Sequence, residues 1–178
     1  MTGAANGTWT ASADASVAAL AVDASGFVYA GGAFAQIGGV PRGFIAKLSG
    51  GGTGAADATW NPSANANVLV LALDAIGHVY VGGTFSSIGG RSRTNLARLS
   101  SGGSGAADVN WNPGPDGAVA TLMLDTGGAI YAGGAFINVG GQRRLFVARL
   151  RSPGPLDLAW GASLDRLVDA LAPAGRGG

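Results

Sequence analysis

The sequence predicts an all-β protein made of β-propeller blades, each blade a sheet of four antiparallel strands. Three observations predict this fold class. Tryptophan recurs at positions 9, 60, 111 and 160, which are 51, 51 and 49 residues apart. The stretch between successive tryptophans holds short β-type runs, and turn residues rich in glycine separate those runs. Four short strands in a repeat of about 50 residues are typical of a propeller blade.

The repeat keeps one register along the chain. A valine follows each tryptophan by eight residues, at Val17, Val68, Val119 and Val168. An aspartate comes next, and then the motif YxGGxF, at 29–34, 80–85 and 131–136. We therefore treat residues 1–178 as a single array of about 3.5 repeats of about 51 residues. The repeats cover about 9–59, 60–110, 111–159 and, in part, 160–178.

The first two strands of a repeat are predicted as a hairpin. The run 68–73 is apolar on both faces, which is typical of a strand covered on both sides. The following sequence D-x-x-G, at 74–77, favours a tight turn, since Asp accepts backbone N–H bonds and Gly takes positive φ. The second run, 79–83, ends in two glycines, which indicates close backbone approach or a bulge.

The other two strands are predicted from the same repeat. The third covers 95–99, and the fourth surrounds Trp60 and stops at Asn61-Pro62, because proline cannot donate to a sheet ladder. At the end of the chain, Val168 is in register for another first strand. Residues 163–171 also have apolar side chains at helical spacing behind a possible Ser163 cap, so strand and helix compete there, and we favour the strand.

Repeats of the form WNPxxxxxV followed by LALDxxGxVYVGGxFxxIGGxxRxxLARL resemble the bacterial delta-60-type propeller repeats, a family of unknown function. The double glycine and the later tryptophan also resemble kelch blades. The resemblance covers nearly the whole chain. It implies a bacterial protein, secreted or attached to the cell surface, and it implies no particular chemistry.

The strand count predicts that the chain has a partner. Three complete blades with two further strands do not close a ring, and propellers usually close with four to eight blades. We expect either that the chain pairs with itself as a homo-oligomer, most simply a dimer, or that it is part of a longer chain. A small closed or partly open monomer is a third alternative.

Composition excludes several classes of function. The chain has no cysteine and one histidine, so thiol chemistry, iron–sulfur clusters and cysteine-bound zinc are excluded. The formal net charge of +1 does not favour nucleic acid or an anionic membrane as a partner. No apolar stretch is long enough to span a membrane as a helix. We expect no cofactor, no metal site and no catalytic residue.

The candidate ligand-binding residues lie five positions after each tryptophan. They are Asp14, Asn65, Asp116 and Asp165. They fall in the loops before the first strands, which in propellers open beside the central channel, so their oxygens could bind a cation or sugar hydroxyls. The alternative is that each residue caps its own loop through an Asx turn, and we favour this alternative.

The other repeated side chains are expected to build the blades. Arg42, Arg93 and Arg144 form one column and are expected to pair with Asp57, Asp108 and Asp157 or to stack on aromatic rings. His78 is expected at the surface or the rim, since it has no second histidine, cysteine or glutamate to work with.

Three functions follow from these observations. The first is a non-enzymatic scaffold whose loops contact proteins or a cell surface. The second is a carbohydrate- or cation-binding module that uses the column of Asp14, Asn65, Asp116 and Asp165. The third is part of a hydrolase-like propeller enzyme, which would have to work with aspartates that no sequence spacing brings together.

Overall fold

The computed structural model describes residues 7–151, 154–162 and 164–172. These residues contain fifteen β-strands and no helix. The strands are β1 (Val17–Val22), β2 (Val28–Gly32), β3 (Gln36–Ile37), β4 (Val40–Pro41), β5 (Ile45–Leu48), β6 (Val68–Leu73), β7 (His78–Gly83), β8 (Ser87–Ile88), β9 (Arg91–Ser92), β10 (Leu96–Ser100), β11 (Val119–Leu124), β12 (Ile130–Gly134), β13 (Asn138–Val139), β14 (Gln142–Arg143) and β15 (Val147–Leu150).

Three equivalent antiparallel sheets form three successive blades. Their strand orders are β1-β2-β5, β6-β7-β10 and β11-β12-β15, so the second strand of each repeat lies in the middle. We call them blades 1, 2 and 3. The register shifts by one residue at the start of each first strand, for example between Val68 and Val70 opposite the Gly82-Gly83 pair. The predicted all-β fold of propeller blades, including the bulge at the glycines, is therefore observed.

The fourth strand of the blade is reduced to a single bridge in each repeat. Ala56 pairs with Leu48, Ala107 with Leu99, and Leu156 with Leu150. The predicted strand around Trp60 does not form, because the Asp57 carboxylate accepts the N–H groups of Thr59 and Trp60 and turns the chain there. The tryptophan marks a buried side chain rather than a strand.

Each blade also has a short hairpin between its second and third strands. The pairs are β3–β4, β8–β9 and β13–β14. In blade 2 the turn of this hairpin is Gly89-Gly90, and both glycines have positive φ, 61° and 74°. Two adjacent left-handed residues are what a two-residue hairpin turn requires, so the IGG motif makes this turn.

Adjacent blades pack through a valine and a glycine. Val68 of blade 2 lies against Gly31 of blade 1, and Val119 of blade 3 lies against Gly82 of blade 2. The first strands of blades 2 and 3 thereby cross the sheet of the blade before them. One apolar core lies between blades 1 and 2, and another lies between blades 2 and 3. Any side chain at the glycine would hold the two sheets apart.

Trp60 and Trp111 each link two blades. The indole of Trp60 donates its Nε1–H to the carbonyl of Ser100 in blade 2, at 2.8 Å. Its ring also meets Tyr29 of blade 1 edge to face, with 5.2 Å between ring centres. Trp111 repeats this arrangement between Tyr80 of blade 2 and blade 3.

Residues 164–172 take the position of a further first strand without forming one. Val168 is buried against Gly133 of blade 3, as Val68 is against Gly31. The described residues of this segment form neither the strand that we favoured nor the competing helix. A strand needs a ladder partner, and none pairs with this segment among the described residues. Ser163, the possible helix cap, lies outside them.

No helix in the described part of the chain could carry it across a lipid bilayer.

Candidate functional site

The column of candidate ligand-binding residues clamps the hairpins of the blades. Asp14 Oδ1 accepts the backbone N–H groups of Ala35 and Gln36, at 2.9 and 3.0 Å. Asn65 Oδ1 accepts those of Ser86 and Ser87 in the same way. These partners lie 21 and 22 residues further along the chain, so the side chain fixes the neighbouring hairpin rather than capping its own loop.

Asp116 makes the most complete clamp. Its Oδ1 accepts the N–H groups of Ile137 and Asn138, and its Oδ2 accepts the side-chain amide of Asn138 at 2.6 Å. The backbone hydrogen bond from Asn138 lowers the pKa of Asp116, and this effect outweighs the slight burial that would raise it. Asp165, the fourth member, is exposed in the terminal segment.

The geometry does not gather these side chains into one site. Asp14, Asn65 and Asp116 each bond within their own blade, and all three are solvent-exposed. Within residues 7–151, 154–162 and 164–172, no three His, Cys, Asp or Glu side chains form a group that could hold a metal ion. Ligand binding by the column stays a prediction.

A second set of polar side chains lies at the turn between the first two strands. Asp23 Oδ1 accepts the N–H groups of Ser25 and Phe27, and its Oδ2 accepts the hydroxyl of Tyr29 at 3.2 Å. Burial and the neighbouring Asp23 carboxylate raise the pKa of the Tyr29 hydroxyl. Asp125 and Tyr131 repeat this arrangement in blade 3. The D-x-x-G aspartates thus hold the turn and anchor the tyrosine.

His78 joins this arrangement in blade 2. Its Nδ1 lies 2.7 Å from Oδ2 of Asp74, which also accepts the hydroxyl of Tyr80. Burial alone would raise the pKa of Asp74, but the hydrogen bonds from His78 and the His78 charge outweigh it and lower the pKa. The His78 side chain is about one-third exposed, at 31%. It therefore lies at the rim of the blade and is oriented by Asp74.

The two basic columns have different partners. Arg42 donates to the backbone carbonyls of Pro41 and Asp57, at 2.7 Å each, rather than to the Asp57 carboxylate. Arg93 does the same with Ser92 and Asp108. The carboxylates of Asp108 and Asp157 pair instead with Arg98 and Arg149, which form a second basic column together with Lys47. The arginines of both columns bond within their own blades, whereas Lys47 donates to the backbone carbonyl of Ser101 in blade 2, at 3.0 Å.

Blade 3 has a groove of about 490 Å³ beside its tryptophan. Trp111, Pro113 and Leu156 are its buried lining residues, and Leu158 is exposed at its edge. The lining also contains amide side chains, at Asn110, Asn112 and Gln142. Among the residues that the structure describes, no charged side chain lines the groove. Such a surface suits an uncharged segment that can pack on apolar atoms and hydrogen-bond to amides.

The groove lies where the loop behind the third strand is shorter than in blades 1 and 2. Leu48 and Ala56 are separated by eight positions, as are Leu99 and Ala107, but Leu150 and Leu156 are separated by six. In blades 1 and 2 the longer loop places a glycine with positive φ against the indole, Gly54 beside Trp9 and Gly105 beside Trp60. The shorter loop of blade 3 instead leaves a groove beside Trp111.

Sequence reasoning missed this groove, although one signal pointed to it. The last tryptophan interval is 49 residues instead of 51, and the two missing residues belong to the loop 151–155. A shortened loop in an otherwise regular array is the place where one blade differs from the others.

A comparison with protein families agrees with this architecture. A family model described as a domain of unknown function (DUF5122) beta-propeller matches residues 77–105 and 128–159. No curated protein matches the chain. Both matched segments begin in the turn before the second strand and include the third strand. The segment of blade 2 ends in the loop behind the third strand, and the segment of blade 3 ends at Ala159. These two segments therefore resemble the DUF5122 β-propeller family, a domain of unknown function, which confirms the expected resemblance.

Proposed function

We propose that the chain is a non-enzymatic β-propeller scaffold that binds other proteins at a cell surface through its loops. The observation that carries the proposal is the uncharged groove beside Trp111, lined by Leu156, Leu158 and amide side chains. Apolar surface with hydrogen-bonding amides at its edge is the composition of protein contact sites. The groove is the proposed contact point for a segment of the partner.

The repeated polar side chains support a scaffold rather than a catalyst. Asp23, Asp74 and Asp116 each accept two backbone N–H groups within their own blade. Arg42 and Arg93 donate to backbone carbonyls. Groups that are committed to backbone bonds in every blade are part of blade construction.

The loops differ from blade to blade, as a binding surface requires. Ile76 in the turn of blade 2 is 82% exposed, and its counterparts are Ser25 and Gly127. Ile137 and Leu158 are exposed in blade 3. Apolar side chains at exposed, variable loop positions are candidates for contact with a partner.

The test is binding of the labelled chain to cell envelopes of the source organism. The decisive variant replaces residues 152–155 with the six residues 101–106 of blade 2, which gives blade 3 the longer loop and fills the groove. We expect saturable binding that is lost with this graft and after protease treatment of the envelopes. Ile76→Ser is the matched control, since Ile76 is exposed but lies outside the groove.

Two results would contradict the proposal. Binding that survives the graft would exclude the groove as the contact point. Binding that resists protease but is lost after periodate oxidation of the envelopes, and in Asp116→Ala, would favour the carbohydrate-binding alternative.

A further inference from the structure

One face of blade 1 exposes side chains whose counterparts in the other blades are buried or half-buried. Val17, Leu20 and Val22 on β1 are 41%, 64% and 63% exposed. Their counterparts in blade 2 are Val68, Leu71 and Leu73, and those in blade 3 are Val119, Leu122 and Leu124. Val68 and Val119 are 0% exposed, and Leu71 is 8% exposed. We call the surface of Val17, Leu20 and Val22 the leading face.

The structure shows what covers the equivalent surface of blade 2. In blade 2, Val68 and Leu71 pack against the sheet of blade 1, where Gly31 lets them approach. Ala19 and Ala21 of β1 pack against the same cluster. The covering surface therefore consists of small residues at alternate positions of a first strand, together with the glycine of the next strand.

The other end of the array repeats the small residues of this covering surface. Val168 is buried against Gly133, so residues 164–172 occupy the first-strand position behind blade 3. Ala170 and Ala172 follow Val168 at the spacing at which Ala19 and Ala21 follow Val17, and both are exposed. We call Ala170 and Ala172 the trailing alanines.

We propose that two copies of this chain associate head to tail, with the leading face of each copy packed on the trailing alanines of the other. The contact continues the stacking by which blades 2 and 3 already cover one another's apolar side chains. Because the two copies are related by a twofold axis, the same contact forms twice, and both leading faces are removed from water. Ring closure is how propellers protect the flat faces of their blades.

The mass of the purified chain in solution tests this proposal, measured by light scattering during size-exclusion chromatography. We expect twice the chain mass of 17.3 kDa. Leu20→Asp and Ala170→Asp each place a carboxylate in both contacts, so each variant alone should elute as a monomer. Both residues are solvent-exposed, and circular dichroism should show an unchanged fold.

Mixing the two variants tests the head-to-tail geometry. When equal amounts of Leu20→Asp and Ala170→Asp are mixed, a dimer with one copy of each keeps one unsubstituted contact. In that contact, the leading face of the Ala170→Asp copy packs on the trailing alanines of the Leu20→Asp copy. We expect the mixture to recover a species of twice the chain mass. Ile76→Asp is the matched control, because Ile76 is exposed elsewhere and its substitution should leave the dimer intact.

Three outcomes would overturn the proposal. They are a folded wild-type monomer, a dimer that Leu20→Asp leaves intact, and a dimer that Leu20→Asp abolishes but Ala170→Asp does not, which would mean that two leading faces pack together. The contact goes beyond the proposed function and is separable from it. A monomer that still binds envelopes through the groove would overturn the dimer alone.

Discussion

The Cγ1 methyl of Val119 in blade 3 lies so close to Gly82 in blade 2 that a Cβ on Gly82 would be 2.7 Å from it. The same glycine faces Val70 of its own blade, whose Cγ1 would be 2.6 Å from that Cβ. Two β-branched side chains from two strands therefore meet over one glycine. The closeness of the blades depends on the absence of a side chain at this position.

Gly82→Ala should destabilise the protein. The added methyl group would overlap Val70 and Val119, which are held by the surrounding core, so the sheets must separate. We expect a loss of about 1–3 kcal/mol in the free energy of unfolding, measured by urea denaturation. Gly51→Ala is the matched control, because a Cβ at Gly51 would meet nothing within 4 Å. Equal urea midpoints for the two variants would contradict this account of blade packing.

The tryptophan links should differ in strength between blades. The Nε1–O distance is 2.8 Å from Trp60 to Ser100 but 3.4 Å from Trp111 to Arg151, because the loop behind β15 is shorter. Phenylalanine removes the hydrogen bond from either position and keeps an aromatic ring. We expect Trp60→Phe to lower the stability by about 1 kcal/mol more than Trp111→Phe. A larger loss for Trp111→Phe, by thermal or urea unfolding, would be incompatible with these distances.

The free energy of unfolding should fall in acid, and protonation of Asp116 should contribute to this loss. Hydrogen bonds lower the pKa of Asp116, and the pKa values of Asp74, Asp108 and Asp125 are also lowered in the folded protein. A carboxylate whose pKa is lowered by folding stabilises the protein above its unfolded pKa, about 3.9 for Asp, and that stabilisation is lost as the pH falls through the folded pKa. We expect stability to be nearly constant from pH 7 to pH 5 and to fall below about pH 4.

Asp116→Asn removes the charge of this side chain but keeps an oxygen that can hold the hairpin. An amide oxygen at this position can still accept the N–H groups of Ile137 and Asn138, as Asn65 does in blade 2. The variant should therefore lose less stability than the wild type between pH 7 and pH 3. Asp116→Ala removes the clamp and should cost about 1 kcal/mol at pH 7. An unchanged pH dependence in Asp116→Asn would exclude this carboxylate as a source of the acid sensitivity.

The strongest apolar patterns in the sequence predicted the central strands closely. The run 68–73 has the bounds of β6, because a strand packed on both faces is apolar at every position. The prediction for the fourth strand was wrong, since Trp60 indicated burial, whereas its backbone lies in a turn made by Asp57. The β8–β9 hairpin was missed, although Gly89-Gly90 beside Ile88 is a recognisable two-residue turn.

The partners of the polar columns could not be predicted from spacing. The aspartates and Asn65 were placed correctly in the loops, but the N–H groups that they bind lie 21 and 22 residues away across a hairpin. Arg93 was expected to pair with the Asp108 carboxylate, and it binds the backbone carbonyl because Arg98 occupies the carboxylate. Such choices depend on which side chain the folded sheet brings closest.

The stacking of blades through valine and glycine is tested most directly by nuclear Overhauser effects in solution. We expect contacts between the methyl groups of Val68, Val119 and Val168 and the α-protons of Gly31, Gly82 and Gly133, respectively. Each contact joins residues of different repeats, so it can arise only if the first strand of one blade crosses the sheet of the blade before it. Absence of the Val68–Gly31 and Val119–Gly82 contacts in the folded protein would contradict the account.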